Sequence, residues 1–173
     1  MPADPDNDVT GLPPVVGGQP VALFLGNAPS VLSLARQQYY GNPRNAFWPI
    51  MAAVFGFDVT VPYLQRVAAL QQNGVAVWDV LAACERPGSL DVDIVSDSIR
   101  VNDFDQFLRA HPGLRSVCFN GAKAQAIFRR QVLPMLAATP TFNMIQLPST
   151  SPAHAGMPFD EKCRLWRQSL LQT

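Results

Sequence analysis

The residues best suited to chemistry follow four short apolar segments of this chain. The segment 26–30, Gly-Asn-Ala-Pro-Ser, follows the first of them, and Trp78-Asp79 ends the second. Asn120-Gly-Ala-Lys123 follows the third, and Pro-Ser-Thr-Ser-Pro-Ala-His at 148–154 follows the fourth. Such small and polar residues can surround a ligand, and an amide can both donate and accept hydrogen bonds. They act together only if the apolar segments bring them to one edge of the molecule.

A loop at 38–48 holds a denser cluster, Gln-Tyr-Tyr-Gly-Asn-Pro-Arg-Asn-Ala-Phe-Trp. Aromatic faces stack on flat heterocycles, and an amide can read the edge of such a ring. The pattern therefore favours recognition of a planar ring. The alternative is that Phe47 and Trp48 begin a buried helix while the tyrosines pack beneath the loop.

The four apolar segments are predicted to be strands. Their apolar character is uninterrupted rather than alternating, which is typical of a parallel sheet covered on both faces. The predicted strands are Val21–Leu25, Val75–Trp78, Ser116–Phe119 and Asn143–Leu147.

Helical patterns occupy the intervals between these strands. The first predicted helix is buried, spans Ala46–Phe55 and ends at Gly56, and the next two are predicted to be capped by Thr60 and by Asn102. An apolar stripe of Ala124, Ile127 and Phe128 indicates a fourth helix, and the last is predicted over Phe159–Leu171. Alternating strands and helices predict an α/β fold, a three-layer α/β/α sandwich with a central four-stranded parallel sheet. Ligands of such sheets bind outside the carboxyl ends of the strands, where the polar segments fall.

The chain has 173 residues, about the size of one domain. With 48% hydrophobic and 15% charged residues it is not a disordered protein, and no apolar run approaches the roughly 20 residues that cross a bilayer. Residues 1–19 are rich in Pro, Gly and Asp and are predicted to be a mobile tail, which leaves 20–173 as a single domain. The acidic N-terminus is not a secretory signal, so we expect a cytoplasmic monomer without a membrane partner.

Neither a metal nor a cofactor is expected. Three scattered cysteines and two histidines form no CxxC pair and are too few for a zinc or iron–sulfur site. The nucleotide-binding patterns GxxxxGK[ST] and GxGxxG and the hydrolase pattern GxSxG are also absent.

The balanced net charge hides a division along the chain. Residues 1–99 carry four arginines against nine acidic residues, a net charge of −5, and residues 100–173 carry nine basic against four acidic residues, a net charge of +5. Binding to phosphate depends on a local face, so this distribution permits a nucleic-acid partner without requiring one.

Five motifs, in this order, resemble those of the uracil-DNA glycosylase superfamily, and most closely its DNA-deoxyinosine (hypoxanthine-DNA) glycosylases. The resemblance spans about residues 20–157, and its specific parts are the aromatic–Asn–Phe–Trp block and the Pro-Ser-Thr-Ser-Pro block. The motifs are Gly-Asn-Ala-Pro-Ser at 26–30, Tyr-Tyr-Gly-Asn-Pro-Arg-Asn-Ala-Phe-Trp at 39–48, Trp-Asp-Val-Leu at 78–81, Phe-Asn-Gly at 119–121 and Leu-Pro-Ser-Thr-Ser-Pro-Ala-His at 147–154.

The resemblance implies the fold inferred above and a monofunctional enzyme of base excision repair. Such an enzyme flips a deaminated base, here hypoxanthine, out of double- or single-stranded DNA at the nucleoid, and hydrolyses its N-glycosidic bond to leave an abasic site. The protein must then stabilise an oxocarbenium-like sugar and a departing base anion. The two lysines, Lys123 and Lys162, belong to no catalytic motif, so a Schiff-base lyase step is not expected.

The resemblance implies that Asn45 is the catalytic residue. Mismatch-type relatives place an Asn or Asp directly before Pro29, where this chain has Ala28, whereas the deoxyinosine-specific branch assigns catalysis to an Asn that matches Asn45. Asn27 is the second candidate, with capping of its loop as the alternative. Neither amide is a useful general base, so hydrolysis would depend on positioning and on a labile leaving group.

Tyr40 matches the aromatic residue that stacks on the flipped base. Trp78 or Asp79 matches the position where uracil enzymes read the base with an Asn. An ionised Asp79 would repel the departing base anion, and capping of the following turn is its alternative role; Asn120 either supports the pocket or is structural. The full set of implied base-binding residues is Gly26, Ala28, Pro29, Tyr40, Phe47, Trp78, Asp79 and Asn120.

The segment 148–154 is expected to enter the minor groove and hold the partner strand. Many uracil enzymes have a catalytic His or Asn where this chain has Leu147, which disfavours strong uracil activity. The implied DNA-binding residues are Arg44, Lys123, Ser149, Thr150, Ser151, Pro152 and His154.

Two other functions stay open at this point. One is a uracil- or mismatch-specific glycosylase of the same superfamily, against which Ala28 and Leu147 argue. The other is a non-catalytic binder of damaged DNA, for which the zero net charge and Ala28 leave room.

Overall fold

The structure, a computed structural model, describes residues 5–171. Its strands are β1 (Asp8–Thr10), β2 (Ala22–Gly26), β3 (Val75–Asp79), β4 (Leu81–Glu85), β5 (Arg100–Val101), β6 (Ser116–Asn120) and β7 (Asn143–Leu147). Its α-helices are α1 (Val31–Arg36), α2 (Phe47–Phe55), α3 (Tyr63–Gln72), α4 (Phe104–Ala110), α5 (Ala122–Ile127) and α6 (Phe159–Leu170). A π-helical turn, Phe128–Val132, continues α5.

The centre of the fold is a four-stranded parallel sheet in the order β3-β2-β6-β7. The predicted fold class is therefore confirmed, and each predicted strand ends within one residue of the observed one. Gly26 pairs with Asp79, and Asn120 pairs with Leu147. The polar segments that follow the strands consequently start at the same edge of the sheet.

Side chains of the sheet alternate between two helical layers. Trp78 packs on Phe104 of α4 with ring centroids 5.0 Å apart, whereas Phe24, one row earlier in the register, stacks on Trp166 of α6 at 5.2 Å. Because successive residues of a strand face opposite sides, Asp79 shares the α6 side with Phe24. Asp79 therefore lies on the face of the sheet that is covered by α6 and by α2, which packs against α6.

A second sheet, which the sequence patterns did not predict, joins the N-terminal residues to the fold. Its three antiparallel strands have the order β1-β4-β5, and Val15 forms a bridge with Val77 of β3. The single proton of the Tyr39 hydroxyl is also shared between the carbonyls of Leu12 and Pro13, 3.0 Å and 2.9 Å away. Residues 8–15 are thus folded rather than part of the mobile tail expected over 1–19, because distant parts of the chain satisfy their backbone groups. Residues 1–4 of that predicted tail lie outside the described residues.

Two predicted helix caps are wrong. The Thr60 hydroxyl donates to Asp58 Oδ1 at 2.7 Å and caps no helix, and α3 begins after Pro62. Asp103, not Asn102, caps α4. Asn102 instead donates from Nδ2 to the carbonyl of Asp79 at 2.8 Å, which fixes the backbone at the end of β3.

Both α2 and α6 follow the predicted pattern. Gly56 ends α2 with a φ of 73°, a conformation that glycine adopts without a steric cost.

Along residues 5–171, no helix combines the length and apolar character that would span a membrane. Nor do the described residues bring together three or more His, Cys, Asp or Glu side chains that could hold a metal ion.

Candidate active site at the carboxyl edge of the parallel sheet

Gly26 allows two polar side chains to approach the end of β2. A Cβ atom at this position would lie 2.5 Å from Asp79 Oδ1 and 3.0 Å from the Tyr40 hydroxyl. Real Cβ atoms do not approach other atoms as closely as 2.5 Å. The absence of a side chain at Gly26 is therefore what lets the Asp79 carboxyl group and the Tyr40 hydroxyl converge.

Tyr40 is fixed by its backbone, its ring and its hydroxyl. Its φ is 53°, in the left-handed region that residues other than glycine seldom occupy. The ring stacks on Phe47 with centroids 4.0 Å apart and planes 20° apart. Asn120 Nδ2 donates to the hydroxyl at 3.2 Å, so the proton of that hydroxyl remains available to another acceptor.

Asn120 joins the loop after β6 to the loop after β7. Its Nδ2 also donates to Thr150 Oγ1 at 2.8 Å, and its Oδ1 accepts from the Thr150 backbone N–H at 2.9 Å. The carbonyl of Thr150 in turn accepts from the N–H of Ala46 at 3.0 Å. One network thus connects Tyr40, Asn120, Thr150 and the residue after Asn45.

Asn45 lies at the start of α2. Its Oδ1 accepts from the Phe47 N–H at 2.9 Å, which gives the chain a local turn into the helix. The residue is half-buried, and its Nδ2 makes no hydrogen bond within residues 5–171. The Asn45 amide therefore keeps donor capacity and an unused acceptor lone pair beside the network.

The Asp79 carboxyl group is held in an unusual protonation state. Burial, and then the negative charge of Asp91, raise the pKa of Asp79 to about 7, although the positive charge of Arg86 lowers it. Its buried Oδ2 has no hydrogen-bond partner among the described residues. Burial, followed by the charge of Asp79, also raises the pKa of Tyr40, which keeps that hydroxyl protonated. Near neutral pH, both the acid and the carboxylate form of Asp79 are populated.

Asn27 is buried, and neither of its amide atoms has a hydrogen-bond partner within the described part of the chain. Its side chain therefore does not cap the loop, which was the alternative to a catalytic role. Unpartnered buried amides are uncommon, because each lost hydrogen bond costs about 1–3 kcal/mol.

Trp78 and Phe47 lie in the hydrophobic core. Trp78 Nε1 donates to the carbonyl of Leu12 at 3.2 Å, and its ring packs in the layer opposite to Asp79. Of the two candidates at the end of β3, only Asp79 lies beside Gly26 and Tyr40. Phe47 is fully buried behind Tyr40, as the structural alternative for this residue predicts. Neither Trp78 nor Phe47 is thus placed to contact a base directly.

Ala28 and Pro29 form the wall between β2 and α1. Ala28 is half-buried, and the buried Pro29 presents its carbonyl to Arg86 Nη2 at 2.6 Å. Ser30 then caps α1 by accepting from the Ser33 N–H at 3.1 Å. This cap and the Arg86 contact fix the backbone of the segment that contains Asn27.

Thr150 does not have the role expected of it. Its side chain and its backbone N–H are both bonded to Asn120, and it is only 1% exposed. The hydroxyl accepts from Asn120 and keeps its own proton, but the burial of Thr150 keeps this group away from a phosphate at the surface. Thr150 is therefore a buried link between the loops and not a DNA contact.

The other residues expected to contact DNA lie at or near the surface. Ser149 Oγ accepts from the Ser151 N–H, and Ser151 Oγ accepts from the Ala153 N–H, so both hydroxyls shape the turn and retain a proton to donate. Pro152 follows this turn and is half-buried, and Arg44 and His154 are exposed. Lys123 is exposed and donates to the backbone carbonyl of Asp91.

Sequence reasoning missed Arg86 and Asp91, whose charges act on Asp79. The Pro87-Gly88 pair marks a turn after β4, but no pattern indicates that the preceding arginine is buried. Both residues become visible as part of the site only when the fold brings the segment after β4 against Pro29 and Asp79.

Two clefts lie away from this network. One, of about 180 Å³, is lined by β7 and α6, and the other, of about 380 Å³, is lined by β1, β4 and residues 97–100. Neither contains Tyr40, Asn45 or Asp79. Convergent polar groups, and not the volume of a cleft, therefore identify the site.

Comparison with known proteins shows relatives along most of the chain. The chain is 36% identical over 115 residues to a hypoxanthine DNA glycosylase from Methanosarcina barkeri, and 39% identical over 115 residues to one from Methanosarcina acetivorans. Each match covers 66% of this chain and 72% of the relative. No protein-family model matches.

A solved structure has the same fold. It is the solution NMR structure of a candidate uracil DNA glycosylase from Methanosarcina acetivorans, which is 32% identical and superposes with a TM-score of 0.76. The match covers 93% of this chain and 98% of that chain. The agreement of motifs, fold and relatives leads to one assignment: the chain belongs to the hypoxanthine DNA glycosylase family, within the uracil-DNA glycosylase superfamily.

Proposed function

We propose that this chain is a DNA repair enzyme that removes hypoxanthine by hydrolysing the N-glycosidic bond of deoxyinosine, leaving an abasic site. The relatives named hypoxanthine DNA glycosylase support the substrate. The observation that carries the proposal is the hydrogen-bond network from Tyr40 through Asn120 and Thr150 to the residue after Asn45. It connects an aromatic ring to the residue next to an amide with unused hydrogen-bonding capacity, at the edge of the sheet where α/β proteins bind their ligands.

Tyr40 and Asp79 are suited to recognising a purine ring. The face of Tyr40 that is not stacked on Phe47 can pack on a flipped base, and such stacking contributes about 1–3 kcal/mol per base. Asp79 carries a carboxyl group at the end of β3, beside the Tyr40 hydroxyl. As a carboxylate it accepts from the N1–H of hypoxanthine, and as an acid it donates to a ring nitrogen or to the exocyclic oxygen. The base must leave the stack to reach this position.

The acid form of Asp79 also answers the objection that a carboxylate would repel the departing base. A neutral carboxyl group can donate a hydrogen bond to the base as negative charge develops on it. With a pKa of about 7, a large fraction of Asp79 is neutral at physiological pH. The Tyr40 hydroxyl, which stays protonated, is a second donor at the same place.

Asn45 is proposed to orient the attacking water. Its Nδ2 can donate to the water oxygen, and the second lone pair of its Oδ1 can accept a water proton. An amide does not remove that proton in a separate step, so the rate depends on holding the water where the oxocarbenium-like carbon forms. Asn27 is proposed to hydrogen-bond the incoming base, because both of its amide atoms lack a partner among residues 5–171.

Contacts to DNA are proposed for the exposed groups around this edge of the sheet. Phosphate oxygens are the main partners of arginines, hydroxyls and backbone N–H groups at such interfaces, and these contacts position the duplex without reading its sequence. The proposed contacts are Arg44, Lys123, Ser149, Ser151, Pro152 and His154.

We propose that the protein acts as a monomer, since one chain supplies the whole site. We also propose that it is cytoplasmic and acts on DNA at the nucleoid. The support is that Tyr40, Asn45, Asp79 and Asn120 all come from the same chain and the same sheet edge. We propose duplex DNA as the main substrate and single-stranded DNA as a second one, because a base outside a duplex needs no unpairing.

A panel of labelled oligonucleotides tests the substrate. Duplex and single strands carrying hypoxanthine, uracil or xanthine at one position are incubated with the pure protein, and alkali then cleaves any abasic site. The expected result is cleavage at hypoxanthine, with release of the free base seen by chromatography. Absence of cleavage at all three bases would refute the proposal, and a clear preference for uracil would favour the activity named for the structural relative instead.

A further inference from the structure

Arg86 is a buried cation next to the candidate active site, directly after β4. It is 2% exposed, and it donates from Nη2 to the carbonyl of Pro29 at 2.6 Å and from Nε to the carbonyl of Gly88 at 2.8 Å. These two acceptors belong to different segments. Arg86 thus ties the segment 26–30, which contains Asn27, to the segment 87–91.

The segment 87–91 crosses between two helix starts. Ser89 Oγ accepts from the Val31 N–H at the start of α1, and the carbonyl of Asp91 accepts from Lys123 near the start of α5. These helices follow β2 and β6, the two central strands of the parallel sheet. The segment therefore lies over the carboxyl edge from which the base must enter, with Arg86 as its inner anchor.

Arg86 has no carboxylate within ion-pair distance in residues 5–171, although its charge acts on the Asp79 carboxyl group. Its Nη1 is buried without a hydrogen-bond partner, and the guanidinium group forms no ion pair in the described part of the chain. An arginine cannot shed its proton to escape this cost. A buried cation with no carboxylate in contact is unfavourable, so its retention beside a site that must accommodate a negative leaving group calls for an explanation.

The charge of Arg86 acts on titratable groups in and near the site. It lowers the pKa of Asp79 and that of the Cys84 thiol. The charge of Asp91 also acts on Asp79 and Cys84, and that of Lys123 acts on Cys84. The charge of Asp79 in turn raises the pKa values of Tyr39 and Tyr40. Among these groups Lys123 is the other cation, and it is exposed. Arg86 is thus the buried positive charge of this group.

We infer that Arg86 is a positioning residue for base excision: it fixes the segment that carries Asn27 and supplies the positive charge that favours the departing base anion. This inference rests on the proposed glycosylase function. Its charge is present before the reaction and needs no rearrangement, which is the condition under which electrostatic stabilisation is most effective. Arg86 acts through the backbone that it fixes and through its positive charge at the site, since its burial leaves no exposed nitrogen for the substrate.

Two substitutions separate the charge of Arg86 from its contacts. Arg86→Gln removes the charge, and Arg86→Lys keeps the charge but cannot span both carbonyls as the guanidinium fork does. Arg109→Gln is the control, because Arg109 is an exposed arginine that pairs with Asp105 on α4. The turnover rate, KM, pH–rate profile and thermal unfolding of each variant are measured on the hypoxanthine duplex.

For Arg86→Gln we expect kcat to fall by about tenfold or more while KM changes little. The limb of the pH–rate profile that reports Asp79 should move to higher pH, because the nearby positive charge that favours the carboxylate is gone. For Arg86→Lys this limb should stay near that of the wild type while kcat falls, and Arg109→Gln should match the wild type. A merely structural role would lower stability without moving the limb.

A folded Arg86→Gln variant with wild-type kcat and an unmoved limb would overturn the inference. If Arg86→Gln does not fold, Arg86→Lys decides: a lowered kcat at unchanged KM supports the inference, and an unchanged kcat contradicts it. An inactive wild-type protein would instead contradict the proposed function, so the two failures are distinguishable.

Discussion

The Asn120 side chain forms two hydrogen bonds with Thr150: its Oδ1 accepts from the Thr150 backbone N–H at 2.9 Å, and its Nδ2 donates to the Thr150 side-chain Oγ1 at 2.8 Å. The same Nδ2 reaches the Tyr40 hydroxyl at 3.2 Å. A single amide at the end of β6 thus sets the position of the loop after β7 and of the aromatic ring proposed to stack on the base.

Asn120→Ala is expected to damage both stability and activity. It leaves the buried N–H and hydroxyl of Thr150 without partners, which should lower the free energy of unfolding by about 2 kcal/mol. Excision of hypoxanthine should slow because Tyr40 loses its anchor. Urea unfolding and single-turnover kinetics measure the two effects. Asn143→Ala, at an exposed position of β7, is the control, and an equal loss of activity in both variants would contradict the role given to Asn120.

Tyr40→Phe and Tyr40→Ala separate the hydroxyl from the ring. The Phe variant keeps the stack on Phe47 and loses one hydrogen bond, so excision should slow by about fivefold. The Ala variant also loses the ring and should slow by about 100-fold. Both rates are measured by single-turnover release of the base. Equal rates for Phe and Ala would show that the ring of Tyr40 does not contact the base.

Gly26→Ala is expected to disrupt the site without unfolding the protein. The new Cβ would meet Asp79 Oδ1 at 2.5 Å, so the carboxyl group must move away from the Tyr40 hydroxyl. Excision should fall by at least about tenfold. Gly18→Ala is the matched control, because a Cβ there meets no atom within 4 Å. Wild-type rates in Gly26→Ala, with the fold verified by circular dichroism, would contradict the placement of Asp79 in the site.

Asp79 should make the protein less stable as the pH rises. Burial first, and the charge of Asp91 second, raise the pKa of Asp79 from its usual 3.8 to about 7 in the folded state. A raised folded-state pKa stabilises the fold below about pH 4, and this contribution is lost as the pH rises through about 7. The difference corresponds to about 4 kcal/mol.

Asp79→Asn should remove this dependence, because an amide does not ionise. Its free energy of unfolding should vary less between pH 4 and about 8 than that of the wild type. Urea unfolding across this pH range measures the effect, with Asp97→Asn, an exposed acidic residue, as the control. An Asp79→Asn protein whose free energy of unfolding falls with pH as steeply as that of the wild type and of Asp97→Asn would contradict a buried neutral Asp79.

The parallel sheet could be predicted because each of its strands is a self-contained apolar run. The antiparallel sheet could not, because β1 and β5 have only three and two residues and their pairing depends on β4, far away in the sequence. Distant pairing also explains why the N-terminal residues were predicted to be a tail. Their Pro and Gly content suggests a tail, but Leu12 is hydrogen-bonded by Tyr39 and Val15 pairs with Val77, both far away in the sequence.

The site was predictable to the level of its segments and not of its contacts. Following each strand to its end identified Asp79 and Asn120, and the aromatic cluster identified Tyr40. The sequence could not show which neighbouring residues lie outside the site. Trp78 packs in the opposite helical layer, and Thr150 is buried and hydrogen-bonded to Asn120. Arg86 could not be predicted, since its partners are backbone carbonyls, which leave no pattern in the sequence.

Base release by Asn45→Ala tests the central claim most directly. The rate of hypoxanthine release from a duplex is measured under single-turnover conditions for the wild type, Asn45→Ala and Asn73→Ala, the last being an exposed amide at the end of α3. We expect a loss of about 100-fold in Asn45→Ala, with DNA binding retained, and no loss in Asn73→Ala. Wild-type release by a folded Asn45→Ala protein would contradict the assignment of this edge of the sheet as the place where the glycosidic bond is hydrolysed.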